Sequence, residues 1–134
     1  MDSITCESRA KINLFLEIKG KREDGYHELH TVYQEISLAD TISLKKINEE
    51  YSVLKCNDTT VPFGRRNLCI KAFDLVREST RLSQMVEIEI DKKIPLGAGL
   101  GGGSSNGACV ITGLNKLFDL GMDDVEMGEI AAKV

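Results

Sequence analysis

Between Lys11 and Lys19 an apolar side chain recurs at every second position: Ile12, Leu14, Leu16 and Ile18. That period predicts a strand with one buried face. Gly20 to Tyr26 is polar and carries Gly20 and Gly25, which marks a turn. Further strands are expected over residues 27–36, 40–46 and 51–56, with Thr41, Ile42, Ser43 and Leu44 alternating cleanly. Asn67 can cap a helix reaching about Ser79, because Leu68, Ala72, Leu75 and Val76 fall at helical spacing. Met85 to Asp91 alternates again and reads as a strand. A glycine-rich stretch follows, then a helix from about Ser104 to Phe118 that Gly121 ends. Asp123 and Asp124 open a last acidic helix, where carboxylates suit the positive N-terminal end. No turn or cap signal closes it before Val134. Strands come first and helices mix in later, so the fold class is α+β. The pattern does not give the strand order.

Composition narrows the classes. The chain has 134 residues, 42% hydrophobic and 28% charged, the mix of one globular domain. No apolar run approaches the roughly 20 residues of a membrane span, and no signal-peptide pattern is visible at Met1. Net charge is −4, and the acidity is concentrated at Asp119, Asp123, Asp124, Glu126 and Glu129. A nucleic-acid binder would normally be basic, so neither nucleic acid nor membrane is expected as a partner. Any anionic ligand must be held by local groups. The four cysteines, Cys6, Cys56, Cys69 and Cys109, form no C-x-x-C pair, and His27 and His30 are the two histidines. Zinc spacing is absent, and four free thiols in a reducing cytoplasm are expected.

The segment richest in chemistry is Pro95, Leu96, Gly97, Ala98, Gly99, Leu100, Gly101, Gly102, Gly103, Ser104, Ser105. Glycine lets backbone approach a ligand closely, at a cost in folding entropy. Successive amides can turn inward as an anion nest, and the free amides of the following helix face the same way. Strand, glycine loop and helix start together can hold phosphate. A Walker-type loop is excluded because no lysine lies between Pro95 and Asn115. Gly97, Gly99 and Gly102 match a dinucleotide fingerprint, but several strands precede them. The acidic residues about 20 positions on, Asp123 and Asp124, fall in a helical stretch.

Lys93-Ile94-Pro95 followed by this loop resembles the phosphate loop of the GHMP small-molecule kinases, which include galactokinase, homoserine kinase and mevalonate kinase. Ala10 to Leu16, Arg22-x-Asp24-Gly25-Tyr26-His27, Asp40-Thr41-Ile42 and Arg66-Asn67-Leu68 are similar to one branch of that family. Its substrate is a cytidine diphosphate-linked methylerythritol, in non-mevalonate isoprenoid precursor biosynthesis. The resemblance implies the family's N-terminal domain, a ribosomal-protein-like α+β fold with a mixed sheet and helices on one face. It implies transfer of the γ-phosphoryl group of ATP to the C2 hydroxyl of that substrate. Pro95 to Ser105 would wrap the ATP phosphates, Lys11 would be the catalytic lysine, and Asn13 would contact substrate. Tyr26 and His27 would recognise cytosine. Mg²⁺ is expected with the phosphates, and Ser105 is the candidate ligand.

Lys11 and Asn13, two residues apart on a strand, should share a face opposite Ile12 and Leu14. Asn106 stands where the family often has aspartate, and can still bond near the phosphates or the helix start. The family's catalytic aspartate would fall just after Val134, and its C-terminal domain is not in the sequence. Residues 1–134 are therefore expected to be an incomplete N-terminal domain, inactive or nearly so alone, and prone to associate through open apolar faces. The alternatives are another GHMP-type kinase, or a nucleotide-binding module without catalysis.

Overall fold

The structure, a computed structural model, describes every residue except Tyr26, and of His27 the backbone alone. Among the described residues the elements run β1 (Ser3–Lys21), β2 (His27–Ile47), β3 (Val53–Cys56), a 3-10 turn (Gly64–Arg66), α1 (Leu68–Thr80), β4 (Met85–Asp91), α2 (Gly102–Leu117) and α3 (Asp124–Ala131). The strands form one mixed sheet in the order β1-β2-β4-β3. β3 lies parallel to β4 and the other pairs are antiparallel.

One face of the sheet is covered. Ile42 and Leu44 of β2 and Val86, Ile88 and Ile90 of β4 meet Phe73 and Val76 of α1 and Val110, Ile111 and Leu114 of α2. These side chains are buried, each stabilising the fold by about 1.5–3 kcal/mol. The other face is polar: Thr5 and Ser43 hydrogen-bond across it at 3.1 Å, and Lys55 pairs with Glu87 at 3.0 Å. The α+β class and the one-sided helical layer are as the sequence implies.

The helix ends have local causes. The Asn67 side chain accepts from Cys69 N at 2.8 Å and starts α1. Asp123 and Glu126 form a reciprocal capping box on α3. Beyond α3, Lys133 N and Val134 N close tight turns onto Ile130 O and Ala131 O, although no sequence signal marked them. α2 begins at Gly102, two residues before the expected Ser104.

Two strand expectations need correction. Residues 27–47 are one strand, not two. β2 instead absorbs extra residues between Glu35 and Ala39, opposite Lys11 and Arg9. The turn also starts later than Gly20, which pairs with Glu28. More important, the alternation of Ile12, Leu14, Leu16 and Ile18 does not make a buried face. Asn13 pairs with Tyr33 while Phe15 pairs with the adjacent Val32, so Leu14 is an extra residue in β1. Such a bulge moves the side chains that follow it to the opposite face, here until a second shift between Ile18 and Gly20. Leu16 and Ile18 therefore share the face of Lys11 and Asn13, and Ile12 does not. All four are exposed, because β1 and β2 extend past the helical layer as a two-stranded arm.

The thiol expectation is also overturned for two cysteines. Cys6 and Cys109 form a disulfide across 103 residues, with Cα atoms 6.9 Å apart. α2 packs on the start of β1, a juxtaposition that spacing along the chain cannot reveal. Cys56 and Cys69 are free. Burial in the core pushes the Cys69 thiol up to about 12.

Candidate functional site

The glycine loop has alternating handedness. Gly97, Gly99 and Gly101 take φ of 68°, 72° and 70°, while Ala98 and Leu100 between them do not adopt positive φ. Alternation of this kind turns successive N–H groups toward one side and makes a nest for an anion. α2 follows without a break: Gly101 is its N-cap, and Ser105 N donates to Gly101 O at 2.9 Å. The free amides of the first helical turn thus continue the nest.

Lys11 holds the loop from the side. β1 is an edge strand, and Lys11 N donates to Leu100 O at 2.9 Å. The ammonium Nζ donates to Gly99 O at 2.9 Å and to Asn13 Oδ1 at 2.8 Å. It also stands 5.1 Å from the centre of the Tyr33 ring. An ammonium has three donors. Among the described residues two are used, leaving one for an incoming anion. The stem of Lys11 lies on Gly101, where a Cβ would come within 3.1 Å of Cε.

Behind the loop, buried polar groups join β1 to α2. Asn106 directs its amide nitrogen at Ser8 Oγ (2.7 Å), Gly102 O (3.0 Å) and the Asp40 carboxylate (3.0 Å). This orientation sets the two amide protons among three acceptors, which share them. Ser8 Oγ in turn donates to Ser105 Oγ at 3.0 Å, so the Ser105 hydroxyl keeps its own proton to give.

These groups rim a depression of about 440 Å³ lined by Arg9, Lys11, Tyr33, Glu35, Gly101 and Ser104, among others. Larger hollows of about 780 and 630 Å³ flank α1. They contain no part of the glycine loop, whereas the smaller depression borders it at Gly101, Ser104 and Ser105. Among the described residues no cluster of three metal-ligating side chains occurs. Among the described residues no helix is long and apolar enough to cross a membrane.

The structure therefore brings Lys11, Asn13 and the loop from Gly99 to Ser105 together. Pro95 to Ala98 lie at the exposed outer end of the loop. Tyr26 and the His27 side chain lie outside the described residues. Sequence reasoning missed Tyr33 and Glu35, which share Lys11's face because Asn13 pairs with Tyr33 and Lys11 with Glu35. The signal was hairpin register, and it is readable only once the irregularities at Leu14 and Lys19 are both counted. Arg9, paired with Glu35 at 3.9 Å, belongs to the same rim.

A mixed sheet under three helices, with an anion nest at the start of α2, is the arrangement of one kinase class, and the comparisons agree. Residues 67–134 match the GHMP kinases N terminal domain, and the chain belongs to that family. Its relatives narrow the class. The chain is 46% identical over its whole length to the 4-diphosphocytidyl-2-C-methyl-D-erythritol kinase of Thermoanaerobacter pseudethanolicus, of which it covers 46%. It is 42% identical, again over its whole length, to the kinase of the same name from Acetivibrio thermocellus, covering 47% of it. The chain thus spans about half the length of the curated relatives it matches. Among solved structures, a 4-(cytidine 5'-diphospho)-2C-methyl-D-erythritol kinase superposes with a TM-score of 0.79 at 38% identity. The match covers 97% of this chain and 45% of that one. Homoserine kinase from Cytophaga hutchinsonii, at a TM-score of 0.76 and 19% identity over 99% of this chain and 41% of that one, shares the fold.

Proposed function

We propose that residues 1–134 are the nucleotide-holding part of a kinase that moves the γ-phosphoryl group of ATP to the C2 hydroxyl of 4-diphosphocytidyl-2-C-methyl-D-erythritol. The observation that carries this reading is the Lys11 ammonium, hydrogen-bonded to Gly99 O at 2.9 Å on the rim of the alternating loop. Phosphoryl transfer depends mostly on positioning and on stabilising charge. The nest and the start of α2 supply inward N–H groups for the α- and β-phosphates. Lys11 brings its remaining N–H to the transferred group. Identity of 40–46% to kinases of that name supports the substrate.

Asn13, beside Lys11, is positioned to orient the acceptor hydroxyl. Tyr26 and His27 are proposed to recognise the cytosine. The exposed apolar run Leu16, Ile18 and Leu29 continues the face of Lys11 along the arm. Mg²⁺ would neutralise phosphate charge when bound. The residues present fit a metal held mainly by phosphate oxygens and water, with the hydroxyls of Ser104 or Ser105 as protein ligands. Among the described residues the depression offers one carboxylate, Glu35, which faces Arg9. We therefore propose that the base for the hydroxyl comes from outside residues 1–134.

Titration of ¹⁵N-labelled chain with MgATP, and separately with NADH, tests the reading. ATP should shift the amides of residues 97–105 and the Lys11 ammonium, and NADH should leave them unmoved. Shifts confined to other elements would defeat it.

A further inference from the structure

The root of the glycine loop converges on one carboxylate that the chemistry above does not use. Asp40, on β2, is fully buried. A carboxylate has about four acceptor sites, and here four donors fill them. Oδ1 accepts from Lys93 N at 2.6 Å and Ile94 N at 2.8 Å. Oδ2 accepts from Lys92 Nζ at 2.5 Å and from the Asn106 amide at 3.0 Å. The Lys92 side chain is only 4% exposed.

Those donors stand at both ends of the loop. Lys92, Lys93 and Ile94 lead into it from β4, and Asn106 lies in the first turns of α2 that leave it. The two ends also touch directly. A Cβ on Gly102 would fall 2.9 Å from both Ile94 Cγ2 and Lys92 Nζ, so they close on each other through the bare glycine. Between them Lys11 braces the loop at Gly99 and Leu100, while Pro95 to Ala98 are exposed. The shape of that outer stretch therefore depends on how firmly the ends are held.

We propose that Asp40 is a positioning residue for the phosphate loop. It clamps residues 93–94 and Asn106 to β2, and so holds the Gly97–Gly101 nest open and ordered before any anion arrives. Pre-ordering removes part of the entropic cost of binding. The role is distinct from that of a buried ion pair that merely supports the fold. Its use for ATP rests on the function proposed above, but the ordering itself does not.

Two double variants separate the roles. Asp40→Ala with Lys92→Met removes both charges and leaves no unpaired ion, but it takes the acceptor from Lys93 N and Ile94 N, so the melting temperature should fall, by less than in Asp40→Ala alone. Asp40→Asn with Lys92→Gln keeps an oxygen for Lys93 N and Ile94 N and a neutral partner beside it. The measurements are melting temperature, amide exchange over 93–105 against Val86 to Ile90, and ATP affinity. We expect the Ala/Met pair to lose exchange protection in the loop but not in β4. It should also bind ATP about tenfold or more weakly, the scale of lost charge-assisted hydrogen bonds. The Asn/Gln pair should restore both readouts. If the Ala/Met pair keeps wild-type loop protection, or if both pairs lose it equally, Asp40 does not position the loop. Should the Ala/Met pair fail to fold, the wild type decides. Lys93 and Ile94 amides exchanging as slowly as Ile88 support the clamp, and amides as fast as those of 97–101 overturn it. A wild type that ignores ATP would remove the nucleotide reading and leave the exchange contrast to judge Asp40 alone.

Discussion

Lys11 and Gly101 are in contact: the aliphatic stem of the lysine rests where a side chain at 101 would begin, with Cε 3.1 Å and Cγ 3.2 Å from that position. Gly101 also has a φ of 70°. Gly101→Ala therefore meets two penalties, a left-handed backbone costing about 1–2 kcal/mol and displacement of Lys11. The expected result is a modestly lower melting temperature and a much larger loss of ATP affinity. Calorimetry beside thermal denaturation checks this, and equal proportional losses in both would contradict it.

Lys11→Met should separate binding from stability. The side chain is partly exposed and makes its bonds at the rim, so melting should change little. A hydrogen bond to a charged group is worth about 1.5–3 kcal/mol, so ATP should bind roughly 10- to 100-fold more weakly by titration calorimetry. Unchanged affinity would move the phosphate site elsewhere.

Cys69 titrates near 9.0 when unfolded and near 12 in the fold, because burial disfavours the thiolate. The raised value leaves stability intact below pH 9. Stability then falls as pH climbs from 9 toward 12, where the unfolded chain ionises first. Alkylation at pH 8.5 should modify Cys56 well before Cys69, and Cys69→Ala should flatten the fall in melting temperature above pH 9. Rapid labelling of Cys69 in the native chain would argue against its burial.

The disulfide closes a stretch of 103 residues, and on the chain-entropy scale a loop of that size is worth about 4–5 kcal/mol. Peptide mapping of oxidised protein should recover Cys6 joined to Cys109. Reduction should lower the denaturation midpoint, and Cys6→Ser should abolish that sensitivity to reductant.

On the arm of β1 and β2, Leu16, Ile18 and Leu29 share one face and are 52%, 63% and 49% exposed. Exposed apolar patches of this kind drive association. Sedimentation velocity should show species larger than a monomer as concentration rises, and Leu16→Ser with Ile18→Ser should suppress them. A monomer at all concentrations would count against the patch.

The glycine loop was legible because its composition is costly and its neighbours are periodic. Asn67 and Asp123 could be read from local chemistry alone, whereas α2 is capped by Gly101 and starts two residues ahead of the expected Ser104. The face of Leu16 and Ile18 could not, since one inserted residue, Leu14, reversed it and only the pairing partner reveals the insertion. Asp40 was visible as part of a family-like triplet, yet its work depends on donors more than 50 residues away. Cys6 and Cys109 were likewise hidden, because their meeting depends on how α2 crosses the sheet. Tyr33 and Glu35 follow from register, which a single strand does not carry.

The alternating hands of residues 97 to 101 divide the loop into two kinds of position. Odd sites admit no side chain without a backbone penalty, whereas 96, 98 and 100 tolerate any that stays clear of the mouth. A library randomised only at those even sites should keep its shape while changing what the rim presents. Under the nucleotide-holding role proposed above, the loop would offer a way to retune which triphosphates are accepted without rebuilding the cradle beneath them.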